Sequence, residues 1–292
     1  MSLLKNICLI GFGEVGSTLA RDLLCDERCI YSYDIAFKDT NSKASKNRQK
    51  VTEVLSLDSL EDAVKNADLV ISVVTAEQAM NAAESVSRFI RNDSWYLDLN
   101  SVAPQTKQGM AKLFKGQVKF VEGAIMSPIH PQKINAPILL GGPNAQAFST
   151  IAKNIGFTGS EFFSAQLGKS AASKMCRSVI IKGMESLITE SLVSARYYGV
   201  EDQVINSLNN LLPGINWQQH SAYMISRSLE HGVRRAEEMS EVHKTVTDTG
   251  LPGLMSKACV DTQAWTARFN QDVTGETIDS MLDQFRTALS NK

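Results

Sequence analysis

The clearest chemical signal in the sequence lies near the start of the chain, where three glycines are spaced Gly-x-Gly-x-x-Gly. The run Gly11-Phe12-Gly13-Glu14-Val15-Gly16 follows a short apolar stretch and precedes a helical pattern. In such a turn Gly11 permits the tight bend, Gly13 lets the backbone approach a diphosphate, and Gly16 lets helix and strand pack closely. The free N–H groups of the following helix attract phosphate. The six residues are therefore predicted to contact a dinucleotide, although an ordinary glycine-rich turn can have the same spacing.

An acidic residue at the expected distance supports this interpretation. Asp34 ends the second apolar run, 23 positions after Gly11, and a carboxylate about 20 residues into such a unit binds the adenosine ribose. A carboxylate repels a 2′-phosphate, so Asp34 favours NAD over NADP. Lys38 or the basic stretch 43–50 can still accommodate that phosphate, which leaves NADP open. Asp34 can alternatively be a simple turn-forming residue.

A second group of candidates lies on a long helical pattern in the middle of the chain. Lys174 and Ser178 are four residues apart and so share one face of a helix. Oxidation of an alcohol needs a group that accepts the hydroxyl proton, and a lysine can do this only when it is neutral. In the reverse direction a protonated Lys174 donates to the carbonyl. Taken alone, a helical lysine is usually a solvated surface group, and Ser178 a plain small residue.

The elements that must position these residues fall into two groups. The first part alternates apolar runs with helical patterns, which is typical of parallel strand–helix–strand units. Strands are predicted at Asn6–Ile10, Ile30–Tyr33, Leu69–Val74, Tyr96–Leu99, Lys119–Ile125 and Pro137–Gly141, and helices at Val15–Leu24, Leu60–Asn66, Ala76–Phe89 and Pro104–Leu113. At the ends of two of these strands, Val74, Thr75 and Asn100 are further predicted cofactor contacts. The basic stretch 43–50 is predicted to be a solvated loop, with contact to an anion as the alternative.

The second part of the chain is predicted to be helical throughout. Helices are expected at Ser170–Tyr198, Asp202–Leu211, Asn216–Val242, Leu254–Phe269 and Thr277–Ser290. The predicted fold is an α/β Rossmann N-terminal domain with a mostly parallel sheet, residues 1–165, followed by an all-α C-terminal domain, residues 166–292.

Composition narrows the classes of partner. With 30 basic and 31 acidic residues the formal net charge is −1, so no overall field favours nucleic acid or an anionic membrane. The five cysteines lack metal-binding spacing, and no apolar run is long enough to span a bilayer. The sequence therefore predicts a soluble, cytoplasmic protein that acts on a small molecule and has no metal site.

Three further segments carry a family resemblance. The run 98–104, Asp-Leu-Asn-Ser-Val-Ala-Pro, resembles an Asp-x-Ser-Thr-x-x-Pro loop, and the run 120–128 resembles a segment that helps to hold substrate. The run 168–174, Gly-Lys-Ser-Ala-Ala-Ser-Lys, resembles the Gly-x-Gly-x-x-x-Lys motif of a catalytic lysine. Together with the Gly11 turn, these segments resemble the β-hydroxyacid dehydrogenase family, which includes relatives of 6-phosphogluconate dehydrogenase. The helical part is similar to a phosphogluconate-dehydrogenase-like subgroup.

The resemblance implies an NAD(P)-dependent dehydrogenase or reductase of a small hydroxy-acid or keto-acid. It implies Lys174 as the catalytic acid/base, and it implies a homodimer or larger assembly through the helical part. Its substrate contacts map to Ser101, Ser127, Ser178 and His231. Ser101 can alternatively be the N-cap of the helix that starts near Pro104.

Departures from the family pattern leave the substrate open. The family's Ser-Gly-Gly becomes Met126-Ser127-Pro128, its asparagine after the lysine becomes Ser178, and a Lys-Asp pair becomes His231-Gly232. Two alternatives therefore stand beside the dehydrogenase. One is an imine reductase, although relatives with that chemistry commonly replace the lysine. The other is a non-catalytic NAD(P)-binding regulatory protein.

Overall fold

The computed structural model describes residues 4–290, which form two compact units that divide between Met175 and Cys176. The first unit contains a sheet of eight strands: β1 (Asn6–Ile10), β2 (Cys29–Tyr33), β3 (Leu55–Ser56), β4 (Leu69–Ser72), β5 (Trp95–Asp98), β6 (Lys119–Ile125), β7 (Ile138–Gly141) and β8 (Ser160–Ser164). Its helices are α1 (Glu14–Leu23), α2 (Lys43–Lys50), α3 (Leu60–Val64), α4 (Ala79–Ser87), α5 (Pro104–Leu113) and α6 (Ala145–Asn154). The division falls inside the long helix α7 (Lys169–Tyr198).

The strand order is β3-β2-β1-β4-β5-β6-β7-β8, and every neighbouring pair is parallel except β6 with β7. The mostly parallel sheet and the helical second part are thus confirmed. The chain leaves β1 in one direction across the sheet and returns on its other side with β4. Ligands of such sheets bind where this reversal occurs, at the carboxyl ends of the strands. The Gly11 turn follows β1 at this place.

Alternate residues of β1 enter two separate apolar clusters. Ile7 and Leu9 pack in the cluster on one face of the sheet, and Cys8 and Ile10 pack in the cluster on the other. This explains why the strands lack a strict alternation of apolar and polar residues, since both faces are covered.

The prediction of a loop at 43–50 is wrong, because these residues form helix α2. Ser42 caps it, accepting a hydrogen bond from the Ser45 N–H at 3.0 Å. Only Ala44 and Ser45 of the helix are buried, so the apolar periodicity that marks a helix is missing from the sequence. The short strands β3 and β8 and the helix α6 were not predicted either.

The second unit is helical. Besides most of α7 it contains α8 (Glu201–Leu211), α9 (Trp217–Thr247), α10 (Leu254–Ala267) and α11 (Ile278–Ser290). Its core includes Leu192, Trp217, Phe269 and Phe285. Among the helices within residues 4–290, none is long and apolar enough to cross a membrane.

A buried ion pair shapes the loop that follows β5. Asp98, the last residue of β5, has no exposed surface, and Lys107 of α5 is 1% exposed. The Lys107 ammonium pairs with the Asp98 carboxylate and also donates to the Asp98 carbonyl oxygen at 3.0 Å. Burial raises the pKa of Asp98, and the positive charge of Lys107 opposes that rise. The pair therefore holds helix α5 against the end of β5.

Replacing Lys107 with methionine tests this pair. Breaking a buried ion pair from one side costs about 3–5 kcal/mol of unfolding free energy. The lost cation also raises the pKa of Asp98 further, so the folded variant binds a proton more readily than the unfolded chain. Its stability, relative to the wild type, therefore falls as pH rises and recovers as pH falls.

Urea denaturation at neutral and at mildly acidic pH measures both effects. Lys112→Met is the matched control, because Lys112 is an exposed lysine of the same helix. A deficit of Lys107→Met that is equal at the two pH values would contradict the role of Asp98.

Candidate functional site

The glycine turn has the geometry that its spacing predicts. Gly11 has φ = +93°, and a Cβ there would lie 2.5 Å from the Val73 carbonyl oxygen. A Cβ on Gly16 would lie 2.0 Å from the Gly11 carbonyl oxygen. Gly13, the N-cap of α1, has no atom within 4 Å of its hypothetical Cβ. Packing therefore requires the first and third glycines, whereas the second faces open space at the start of a helix.

Side chains from two neighbouring elements hold this turn. Asp34 accepts a hydrogen bond from the Phe12 N–H at 2.7 Å with one oxygen and from the Ala36 N–H at 2.8 Å with the other. Asn47 of α2 donates to the carbonyl oxygens of Phe12 and Gly13 at 3.0 and 3.1 Å. Asp34 is thus a turn-forming residue, and its oxygens still have lone pairs for the hydroxyl groups of a ligand.

A pocket of about 320 Å³ opens beside Asp34 and is in the size range of small-molecule sites. Its lining consists of Tyr33, Asp34, Phe37, Lys38, Arg48 and Asp58. Arg48 donates to Asp58 at 2.6 Å and to the Ser56 carbonyl oxygen at 2.9 Å, and its guanidinium lies 4.9 Å from the Phe37 ring centre. Asp58 therefore partly compensates the charge of Arg48, and the pocket is lined by two acidic side chains, Asp34 and Asp58, and two basic ones, Lys38 and Arg48.

Asn100 ties the ends of two strands together. It is 4% exposed, and its side-chain oxygen accepts from the Val74 N–H at 2.7 Å. Its amide group donates to Ser72 Oγ at 2.9 Å and to Asp98 Oδ1 at 2.5 Å. Both amide protons are thus used within the protein. Of the other predicted contacts on this edge, Thr75 is exposed and Val74 is half-buried.

The structure brings Lys174 and Ser101 together. Lys174 Nζ donates to Ser101 Oγ at 2.7 Å, and both side chains are partly buried. Ser101 lies three residues beyond β5, and Lys174 lies in the second turn of α7. The N-cap of α5 is Ala103, without a side-chain hydrogen bond, so Ser101 is not the cap. An amine and a hydroxyl at this distance can exchange or share a proton with a third polar group.

Ser127 lies in the loop after β6, and its hydroxyl is used within that loop. Ser127 Oγ is 3.0 Å from the Pro128 carbonyl oxygen and 3.1 Å from Gln132 Oε1. A ligand that receives the proton of Ser127 must therefore displace one of these two acceptors.

The two remaining predicted substrate contacts, Ser178 and His231, belong to the second unit and do not lie together there. Lys182 pairs with Glu238, and Glu185 pairs with Arg235, so α7 and α9 run antiparallel. In this register His231 is level with residue 189 of α7, eleven residues beyond Ser178. Eleven residues span about 16 Å of helix. One small substrate cannot contact both side chains.

Three residues of the first unit were missed by the sequence analysis: Asn47, Lys107 and Glu122. Lys107 lies between the buried Ala103 and Met110 at helical spacing, and Glu122 lies within the apolar run of β6. A charged residue at a core position is a signal for a buried ion pair or cap. No comparable signal marked Asn47.

Two parts of the chain match models of known protein families. Residues 6–163 match the model described as the NAD binding domain of 6-phosphogluconate dehydrogenase, and residues 195–266 match a domain of unknown function, DUF1932.

Three relatives illustrate the similarity. A conserved hypothetical protein from Sinorhizobium meliloti 1021 is 30% identical, with a TM-score of 0.74 over 98% of this chain and 97% of that one. An uncharacterized 28.5 kDa protein of Methanothermus fervidus is 29% identical over 86% of this chain and 95% of its own. The 3-hydroxyisobutyrate dehydrogenase of Mycobacterium tuberculosis is 15% identical, with a TM-score of 0.71 over 98% and 99% of the two chains, and so shares the fold.

The family match covers more than half of the chain and includes the glycine turn, the Asp34 pocket and the Asn100 loop. The suspected resemblance is confirmed: the chain belongs to the family of the NAD binding domain of 6-phosphogluconate dehydrogenase, and its cofactor is NAD or NADP.

Proposed function

We propose that this protein is an NAD(P)-dependent dehydrogenase or reductase of a small hydroxy-acid or its keto counterpart. The observation that supports this most directly is the 2.7 Å hydrogen bond between Lys174 and Ser101. In the resembling motifs Lys174 occupies the position of the catalytic lysine, and Ser101 lies in the loop that implies a substrate contact. When bound, the cofactor supplies the acceptor or donor of a hydride, and the chain supplies the proton transfer.

Lys174 is the proposed acid/base. In the oxidising direction a neutral Lys174 accepts the proton of the substrate hydroxyl as the hydride leaves the adjacent carbon. In the reducing direction the ammonium form donates a proton to the carbonyl oxygen. Ser101 holds Nζ in place and offers its own hydroxyl to the same substrate oxygen.

The glycine turn and its neighbours fit the cofactor. The open side of Gly13 leaves room for a diphosphate against the N-terminus of α1, where N–H groups of the first turn have no partner within the helix. Asp34 is positioned by two backbone N–H groups and retains lone pairs for the ribose hydroxyls. Asn100 fixes the loop at Val74 and so shapes the next part of the same edge.

For the substrate we propose Ser101 as a contact, because it already binds the Lys174 amine. Ser178, a buried residue one helical turn after Lys174 on α7, stays a prediction from the family resemblance. Ser127 is a further contact if the substrate displaces its partners within the loop. His231, on α9, likewise stays a prediction from the family resemblance. The retained Lys174 favours a hydroxyl or carbonyl substrate over an imine.

Two glycine variants separate cofactor binding from folding. Gly16→Ala places a Cβ against the Gly11 carbonyl oxygen and should cost about 1–3 kcal/mol of unfolding free energy. Gly13→Ala meets no protein atom and should cost less, about 0.5–1 kcal/mol, because alanine is a poorer N-cap than glycine. Its Cβ fills the space of the diphosphate, so NAD(H) should bind about tenfold more weakly. Calorimetric titration and urea denaturation measure the two effects, and unchanged NAD(H) affinity in Gly13→Ala would place the diphosphate elsewhere.

Asp34→Asn tests the choice of cofactor. The amide keeps one acceptor oxygen for the turn but removes the charge that repels a 2′-phosphate. The ratio of the dissociation constants for NADPH and NADH should therefore shift toward NADPH by about tenfold, or 1.4 kcal/mol. Fluorescence titration with both reduced cofactors measures this ratio. An unchanged ratio would show that the ribose is recognised by other residues.

Lys174→Ala tests the chemistry. Turnover should fall by about a hundredfold or more, because a positioned proton donor or acceptor contributes that much, while NAD(H) affinity changes little. Lys169→Ala is the matched control, since Lys169 is an exposed lysine at the start of the same helix. A panel of hydroxy-acids, keto-acids and cyclic imines, assayed by absorbance of the reduced cofactor, provides the substrate. Equal rates in Lys174→Ala and the wild type would remove Lys174 from the mechanism.

A further inference from the structure

A carboxylate from the sheet caps the helix that carries Lys174. Glu122 of β6 has no exposed surface, and its Oε1 accepts from the N–H groups of Gly168 and Ser170 at 2.8 and 3.1 Å. Its other oxygen, Oε2, is buried without a hydrogen-bond partner. The two N–H groups belong to the N-cap and first turn of α7, where N–H groups lack partners within the helix. The N-cap itself is Gly168, which has no side chain, so Glu122 replaces the missing capping group.

Two glycines make this approach possible. A Cβ on Gly141, the register partner of Glu122 in β7, would lie 2.3 Å from Glu122 Oε1 and 2.5 Å from Ser170 Oγ. Gly168 has φ = +98°, and its Cβ would lie 3.1 Å from Pro104 Cβ. A larger residue at position 141 would push Glu122 and Ser170 apart, and one at position 168 would be strained by its positive φ and would crowd Pro104 of α5. The absence of a side chain at Gly141 therefore lets the Glu122 carboxylate reach the start of α7.

Glu122 forms a buried charged cluster with the ion pair of Asp98 and Lys107 at the end of β5. Asp98 and Glu122 are direct neighbours in the register of β5 and β6. Burial raises the pKa of Glu122, and the positive charge of Lys107 and the N–H groups of α7 oppose that rise. The positive end of the helix dipole also favours an anion at this place. The positive charge of Lys107 thus acts on both carboxylates: on Asp98, which supports the Ser101 loop, and on Glu122, which supports α7.

From this arrangement we infer that Glu122 is a positioning residue for Lys174. The cap fixes the axial position and the rotation of the first turns of α7, and through them places Lys174 Nζ on Ser101 Oγ at 2.7 Å. Because misplacement by about 1 Å can cost a hundredfold in rate, a carboxylate that touches no reacting atom controls turnover. For its consequence in catalysis this inference rests on the proposed function.

Three variants of the full chain test the inference. Glu122→Asp is one methylene shorter and cannot reach the N–H groups, so kcat should fall by about tenfold or more while NAD(H) affinity stays within about twofold. Glu122→Gln keeps an acceptor oxygen of the same reach and should retain most of the rate that Glu122→Asp loses. Ser94→Ala is the control for a purely structural loss, because it removes a buried hydrogen bond to the Ala67 carbonyl oxygen near the opposite end of β5. It should lower the melting temperature and leave kcat unchanged.

A second measurement needs no substrate. An amine-selective acylating reagent, with mass spectrometry of the labelled peptides, gives the reactivity of Lys174 relative to the exposed Lys112. This ratio should change by about threefold or more in Glu122→Asp, less in Glu122→Gln, and not in Ser94→Ala. If Glu122→Asp does not fold, a changed ratio in Glu122→Gln still supports the inference.

The outcomes separate the two proposals. A changed ratio without turnover by the wild type on any substrate of the panel supports the positioning role and defeats the proposed function. An unchanged Lys174 ratio in folded Glu122 variants overturns the positioning role, whether or not the wild type is active. Loss of kcat in Ser94→Ala equal to that in Glu122→Asp also overturns it, because stability alone then explains the loss.

Discussion

The arrangement of the site depends on the buried charges at the carboxyl edge of the sheet. Asp98 and Glu122 are neighbours on adjacent strands, and two like charges side by side in a core would repel each other strongly. Lys107 neutralises one of them directly, and two N–H groups at the start of α7 donate to Oε1 of the other, whose Oε2 is buried without a hydrogen-bond partner. The same contacts that make the two carboxylates tolerable therefore attach α5 and α7 to the sheet. Ser101 and Lys174 meet because the loop of one and the helix of the other are held by this cluster.

At the glycine turn, too, the same side-chain contacts do two things: they hold the backbone and they position a functional group. The Asp34 carboxylate is held in place before any ligand binds, because two backbone N–H groups donate hydrogen bonds to it. One of these, the Phe12 N–H, belongs to the glycine turn, so the residue that we propose discriminates between NAD and NADP also shapes this turn. Asn47 completes the turn from the other side. Preorganisation of this kind lowers the cost of ordering when a ligand binds.

Much of this could be predicted from the sequence, and the failures have physical reasons. Gly11, Gly13 and Gly16 were assigned separate tasks that the structure supports, because turn geometry and close packing leave few residue types possible. The motif resemblance implied Lys174 and Ser101 as separate site residues, but their hydrogen bond was not predicted, since no local pattern predicts a contact between residues so far apart in the chain. Helix α2 was missed because only Ala44 and Ser45 are buried there. His231 was assigned from the family resemblance alone and stays a prediction, since resemblance does not give the register between α7 and α9.

Three charged side chains, Asp98, Lys107 and Glu122, lie in this core. Their contribution is to position α5, α7 and the loop after β5 rather than to increase the stability of the fold. Well-packed apolar residues in place of a buried ion pair are often as stable or more stable. At the opposite end of the sheet, the buried Ser94 is satisfied by the Ala67 carbonyl oxygen, and no charge is needed. At the carboxyl edge an apolar core could fill the same volume, but it would leave the N–H groups of α7 without an acceptor and the loop after β5 without a cation. The directional contacts of Asp98, Lys107 and Glu122 define where a helix starts and where a loop turns, which hydrophobic packing specifies less sharply. Their cost in desolvation is offset at the edge where Lys174 and Ser101 are held at hydrogen-bond distance, which the proposed reaction requires.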